Sequence, residues 1–217
     1  TEKISLISYT GLEYQLSGIQ NNRAIFTLWA ITGKLDVEGG IYFNCEHVPT
    51  FQLKELPTEN KPIGIDEFPM FYKFMGAGQF CRFPKAVLED DPYPVRALIV
   101  VGGSPMLTFP DAKRWREVYR KLDCLIVSDR YPTEDSRYAD VVFPSCTLFE
   151  TYKPVPGQDG KIELMEPVIA PVGECRDDVL ILSGIAKKLG VGDDYPDNVD
   201  ELKTWLCDSL PPYAGDF

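Results

Sequence analysis

The chain reads as an α/β protein, a Rossmann-like domain with a mostly parallel sheet flanked by helices. Three observations predict this class. Residues 97–101, ALIVV, form an aliphatic and β-branched run that stops abruptly at Gly102-Gly103-Ser104-Pro105, as a buried strand does where it runs into a loop. A helical pattern follows over residues 111–122, with Trp115, Val118, Tyr119 and Leu122 on one face. Two more strand-like runs, CLIVS from Cys124 and DVVFPS from Asp140, come at spacings that suit parallel crossover connections.

In chain order, the first unit is a strand at residues 4–9, a loop, and a helix over residues 19–32. That helix is expected to turn Ile25, Leu28, Trp29 and Ile31 towards a core and to stop at Gly33, which suits the left-handed position after a helix. LDVEGG then closes the unit, with Gly39-Gly40 turning the chain outward. Residues 41–95 change character: Pro49, Pro57, Pro62, Pro69, Pro84, Pro92 and Pro94 break long elements while Phe and Tyr recur. This stretch is expected to leave the sheet, to carry one short helix near residues 68–74, and to return at Arg96. So long an insertion is uncommon unless it packs on something or covers a site. Between the second and third strands, residues 128–139 form a loop with one short turn of helix; after the third, GQDGKIELMEPV suggests a hairpin, and helices are expected over residues 177–189 and 199–210. The organisation is therefore a strand-helix start (1–40), an excursion (41–95), a core α/β part (96–150), and a hairpin with a C-terminal helical part (151–217). No internal repeat or low-complexity segment is present.

Composition bounds the function. With 217 residues, 44% hydrophobic and 12% aromatic, the chain can bury a real core, and no apolar run approaches the roughly 18 residues that span a bilayer. Membrane insertion is not expected. Thirty-three acidic against twenty-two basic residues give a net charge of −11, which repels a phosphate backbone unless the bases are gathered. The one cluster, Lys113, Arg114, Arg116, Arg120 and Lys121, is interrupted by apolar positions at helical spacing and reads as a solvated helix face, so nucleic acid is not an expected partner. The six cysteines are scattered without a CxxC pair, and His47 is the single histidine, so no metal is expected on this chain's own cysteines. This usage suits a reducing compartment such as the cytoplasm, or a periplasmic protein exported after folding. Thr1 leads almost directly into a strand-like run without a leader, as a piece of a longer protein would.

Candidate chemistry lies in three loops, at Gly102-Gly103-Ser104-Pro105, Ser128-Asp129 and Pro144-Ser145, each at the carboxyl end of a predicted strand. Open α/β sheets bind ligands at such ends. The glycines let backbone approach a ligand closely, a serine hydroxyl can donate to phosphate or ribose, and a strand-end carboxylate suits a ribose diol or a guanine edge. Asp129 is equally readable as a turn or cap aspartate. Thr133 reads as the cap of a short helix including Ser136, and Asp140 as a plain strand-start residue. No acid-base dyad of defensible spacing appears, nor GxSxG, GxGxxG or GxxxxGK[ST], so no catalytic residue is assigned.

The series VVGGSPMLTFPD, LDCLIVSDRYPTEDSRYADVVFPSCTLFE and GKIELMEPVIAPVGECRDDVLILSGIAKKLG, with GIQNNRAIFTLWAITGKLDVEGG upstream, resembles the molybdopterin oxidoreductases of the dimethyl-sulfoxide-reductase and formate-dehydrogenase type. The likeness spans residues 11–190. It implies a piece of a molybdenum bis(molybdopterin guanine dinucleotide) enzyme, such as serves anaerobic respiration. The piece would supply a Rossmann-like domain for the guanosine end of one pterin dinucleotide. Carried over by position, Gly102, Gly103, Ser104 and Pro105 would form the loop at the nucleotide, Ser128 and Asp129 would meet the guanosine, and Thr133 and Asp140 would support the adjoining loop. Two departures stand out. Ser104 replaces the family's usual asparagine, and Asp135-Ser136 replaces Thr-Ala after Glu134, placing a charge near a loop that should meet phosphate or guanine. The family's cysteine-rich iron-sulfur segment, its metal ligand and its C-terminal pterin-binding domain are not recognisable. The resemblance therefore implies an internal piece, inactive alone and without bound cofactor. Its partners would be the remaining iron-sulfur and pterin-binding domains of the parent, with residues 151–217 belonging to a neighbouring domain, and an electron-transfer iron-sulfur subunit. The alternatives are the equivalent domain of a cofactor-free relative, such as the large iron-sulfur subunit of respiratory complex I, and a free-standing α/β nucleotide-binding protein.

Overall fold

A computed structural model describes residues 6, 8–41, 60–156 and 162–209. The chain divides into two compact units, residues 1–50 and 51–217. In the first, helix α1 (Thr10–Glu13) packs on helix α2 (Gly18–Ile31). Of the strand expected at residues 4–9, residues 6, 8 and 9 are described and form no strand, while residues 4, 5 and 7 lie outside the described residues. Helix α2 ends as anticipated: Gly33 takes φ 66°, and its N–H reaches the carbonyl of Ala30 at 3.0 Å. Its inward face differs from the expectation. Ile25 and Trp29 are half-buried, but Leu28 and Ile31 are exposed, outside the contact that α1 makes with this helix among the described residues.

The second unit holds the parallel sheet, in the order β1 (Ala97–Val101), β2 (Cys124–Asp129), β3 (Val141–Pro144). Val100 lies opposite Val127, Val101 opposite Ser128, and Asp129 opposite Pro144. The two-residue period sends Val100, Leu125 and Val127 to one face, where they meet the buried Trp115, Val118 and Tyr119 of helix α6 (Ala112–Lys121). Asp111 starts that helix, its carboxylate accepting from the Arg114 N–H at 3.1 Å.

The described part of the proline-rich stretch adds no strand to the sheet but packs against it. After helix α3 (Pro69–Met75), a 3-10 turn (Phe80–Arg82) runs into helix α4 (Phe83–Glu89), whose Phe83 and Val87 join this same core. Phe80 stacks on Trp115 with ring centroids 5.3 Å apart, and Phe83 does so at 6.0 Å. Prolines at the first turn of α3 and α4 start these helices instead of breaking them. On the other sheet face, Ile99, Val101 and Val141 are each about 40% exposed. The expected hairpin forms from β4 (Lys153–Pro156) and β5 (Ile162–Met165), antiparallel, and helices α7 (Asp178–Lys188) and α8 (Val199–Ser209) follow. Among the described residues no helix is long and apolar enough to cross a membrane.

Candidate functional site

The parallel register brings the carboxyl ends of β1, β2 and β3 side by side, and the three loops predicted to hold ligand meet there. A cleft of about 240 Å³ opens between them, lined by Gly102, Asp129, Arg130, Ser145, Cys146 and Leu148, with Lys153 from the hairpin and Asp178 from the start of α7. Two cationic and two anionic side chains thus face one small space. Gly102 sits at φ 59°, a left-handed conformation that favours glycine, while its N–H donates to the Ser128 carbonyl at 2.9 Å. The β1 loop is thereby turned into the cleft wall and held against β2.

The predicted site residues divide into those that face this cleft and those that hold it in shape. Gly102 and Asp129 line it. One carboxylate oxygen of Asp129 accepts from the Tyr131 N–H at 3.1 Å, so the turn reading of this residue and its place at the cleft hold together. Gly103 follows Gly102 in the same loop and is half-buried. Ser104 and Pro105 are buried, and Pro105 starts the short helix α5 (Pro105–Thr108). The Ser104 hydroxyl is spent on the carboxylate of Asp135, which also accepts from the Met106 N–H at 3.1 Å and the Tyr119 hydroxyl. Asp135 has no exposed surface. The charge introduced at that position therefore points inward and ties the β1 loop to α6 and to the 3-10 turn at Asp135–Arg137, instead of standing beside a ligand. Burial and the hydrogen bond to Asp135 push the Tyr119 hydroxyl well above the usual tyrosine range and keep it protonated.

Ser128 is also turned inward. Its hydroxyl lies 2.7 Å from that of Ser145 and 3.0 Å from the Asp178 carboxylate, to which Ser145 donates at 2.5 Å. These three side chains join β2, the end of β3 and the start of α7 beneath the cleft. Thr133 caps the 3-10 turn, accepting from the Ser136 N–H at 3.3 Å. Asp140 is not brought to the cleft: it sits at the opposite end of the strands, where its carboxylate accepts from the Leu125 N–H at 2.7 Å and helps pair β3 with β2.

Several residues that shape the site were not singled out from sequence. Arg130 directly follows Asp129, and Lys153 and Asp178 arrive from 24 and 49 residues beyond that aspartate. Lys153 is held 3.5 Å from the buried Asp177, which caps α7 through the Val179 N–H at 2.8 Å and accepts from the Thr151 hydroxyl at 2.7 Å. Glu150, likewise buried, accepts from the Thr147 N–H and hydroxyl at 2.7 and 2.6 Å and from the Val172 N–H at 2.8 Å. These donors hold its carboxyl down at about 2. The Thr147-x-x-Glu150 spacing is a capping-box signal that could have pointed to it. Among the described residues no group of three or more His, Cys, Asp or Glu is placed to hold a metal ion.

A parallel sheet whose strand-end loops enclose a cleft defines an α/β domain, and comparison with known proteins gives its kind. The family model for molybdopterin oxidoreductase matches residues 6–188, and the chain belongs to that family. It is 28% identical over 196 residues to the thiosulfate reductase molybdopterin-containing subunit of Salmonella typhimurium, covering 82% of this chain and 26% of that protein. It is also 28% identical to the F420-dependent formate dehydrogenase subunit alpha of Methanocaldococcus jannaschii, over 59% of this chain and 19% of that one. The chain thus spans about a quarter or less of the length of these curated relatives. Among solved structures, acetylene hydratase from Pelobacter acetylenicus aligns with a TM-score of 0.57 at 20% identity, over 66% of this chain and 23% of that one, which shows a shared fold.

Proposed function

We propose that this chain forms part of a molybdenum oxidoreductase and supplies the wall that receives the guanosine end of one molybdopterin guanine dinucleotide. The observation that carries this reading is the placement of Asp129, at the end of the central strand, in a cleft it shares with the left-handed Gly102 and with Arg130 and Lys153. The donor set fits the group. A guanine presents N–H donors that a carboxylate accepts, while two cations suit the anionic diphosphate beyond the ribose. About 240 Å³ is room for one end of a dinucleotide, not for its whole length. When bound, the group would provide the two-electron chemistry of its metal. This chain's residues bind and orient, with Asp129 and Gly102 at the ligand and Ser104, Ser128 and Asp135 fixing the loops that carry them. Support from the family is direct for molybdopterin, and the guanine dinucleotide form rests on the chemistry of the cleft.

The parent would hold the metal and the rest of the pterin site in domains outside this chain, and could pass electrons to an iron-sulfur subunit. The test is Asp129→Ala in the full-length protein, with guanine nucleotide released by acid extraction measured against protein. Loss of charge-assisted hydrogen bonds worth about 1.5–3 kcal/mol each should weaken retention by roughly tenfold or more. Unchanged guanine content would refute the assignment.

A further inference from the structure

One residue of the cleft wall, Cys146, stands beside Cys175, and the cofactor reading does not use this pair. Cys146 and Cys175 are both free thiols, and their sulfurs stand 3.8 Å apart although 29 residues separate them in the chain. The backbone brings them together: the Cys146 N–H donates to the Arg176 carbonyl at 2.9 Å, and the Arg176 N–H to the Pro144 carbonyl at 3.1 Å, forming a parallel bridge between Ser145 and Arg176. The two thiols are therefore held by neighbouring main chain, not by chance rotamers of distant loops. Their surroundings differ. Cys146 is buried and lines the cleft, whereas Cys175 is half-exposed and its thiol lies 3.4 Å from the Glu150 carboxylate.

We propose that Cys146 and Cys175 form a reversible disulfide when the protein meets a peroxide. The more accessible Cys175 reacts first: its thiolate attacks one peroxide oxygen, the O–O bond breaks, and a sulfenic acid forms on Cys175 with release of hydroxide, which takes up the proton the thiol lost. The Cys146 sulfur then attacks that sulfur, the S–O bond breaks, and water leaves with the Cys146 proton. In total the two thiols lose two electrons and two protons, and hydrogen peroxide becomes two waters. The sulfurs must close from 3.8 Å to the bonded distance of about 2.05 Å, a shift within reach of side-chain rotation. Burial and the nearby Cys175 thiol push the Cys146 thiol up to about 12, so it is a poor first target for the peroxide. Because Cys146 lines the cleft, the bond would fix that wall against the segment leading into α7.

The test exposes the full-length protein to hydrogen peroxide, alkylates the remaining thiols and maps the peptides by mass spectrometry. The expected result is a Cys146–Cys175 linked peptide, two hydrogens lighter than the reduced pair and restored by dithiothreitol, with both positions losing alkylation in parallel. In Cys146→Ser, Cys175 should instead pass on to the sulfinic acid, at least about tenfold more than in the unaltered protein under the same dose. Circular dichroism of both proteins shows whether the fold is kept. Cys175 over-oxidised to the same extent in both proteins, with Cys146 still alkylated in the unaltered one, would overturn the proposal.

Discussion

The carboxylate of Asp135 accepts from the Ser104 hydroxyl, the Tyr119 hydroxyl and the Met106 N–H, drawing hydrogen bonds from the β1 loop, α5 and α6 into one buried point. Asp135→Ala would leave these donors without partners in a dry site, each costing about 1–3 kcal/mol. Equilibrium urea unfolding should show a total loss of about 2–4 kcal/mol after relaxation, and a loss below about 0.5 kcal/mol would show that water replaces the carboxylate. Sequence reasoning saw Asp135 as a charge beside the ligand, because a short polar turn carries no sign of which side chain is buried. It placed Gly102 and Asp129 in the site because both lie where a strand ends, a position legible from the apolar run before it. Ser128 sits at such an end too, yet its hydroxyl is engaged by Ser145 and Asp178, 17 and 50 residues away, in the floor of the cleft, a tie that only the folded chain reveals.

At the scale of elements, the strands and helices from residue 97 onward were legible because each apolar run has the length and period of its element and is punctuated by Gly, Pro or a cap. Less could be read where contacts decide. The face of α2 that carries Leu28 and Ile31 looks inward by pattern, yet a period indicates only that a partner is wanted, not that α1 can supply it. The turn at residues 147–150 is similar: Glu150 anchors Thr147 beside it and Val172, 22 residues on, and so ties the end of β3 to the segment before α7. Its carboxyl is held at about 2, below the ordinary unfolded value of about 4.3. The stability it contributes is therefore fully present above pH ~4.3 and is lost as pH falls through about 2. Unfolding followed from pH 6 to pH 2 should show a steep acid limb that is shallower in Glu150→Gln. Parallel limbs in the two proteins would assign the acid sensitivity elsewhere.

For the whole molecule, the family is shown over residues 6–188, while the curated relatives extend several times further than the match. We expect the 217-residue chain by itself to hold no molybdenum and to be inactive, since it spans about a quarter or less of the curated relatives it matches. Elemental analysis of the purified chain checks this, and stoichiometric molybdenum would contradict it. One consequence follows from the floor of the cleft. Ser128, Ser145 and Asp178 already satisfy one another, so an arriving ligand finds no loose rotors there to arrest. Freezing a flexible side chain on binding costs about 0.5–1.5 kcal/mol, and a floor settled during folding avoids that cost at the moment of capture. If the cleft takes the nucleotide proposed for it, that saving would go into how tightly the ligand is held.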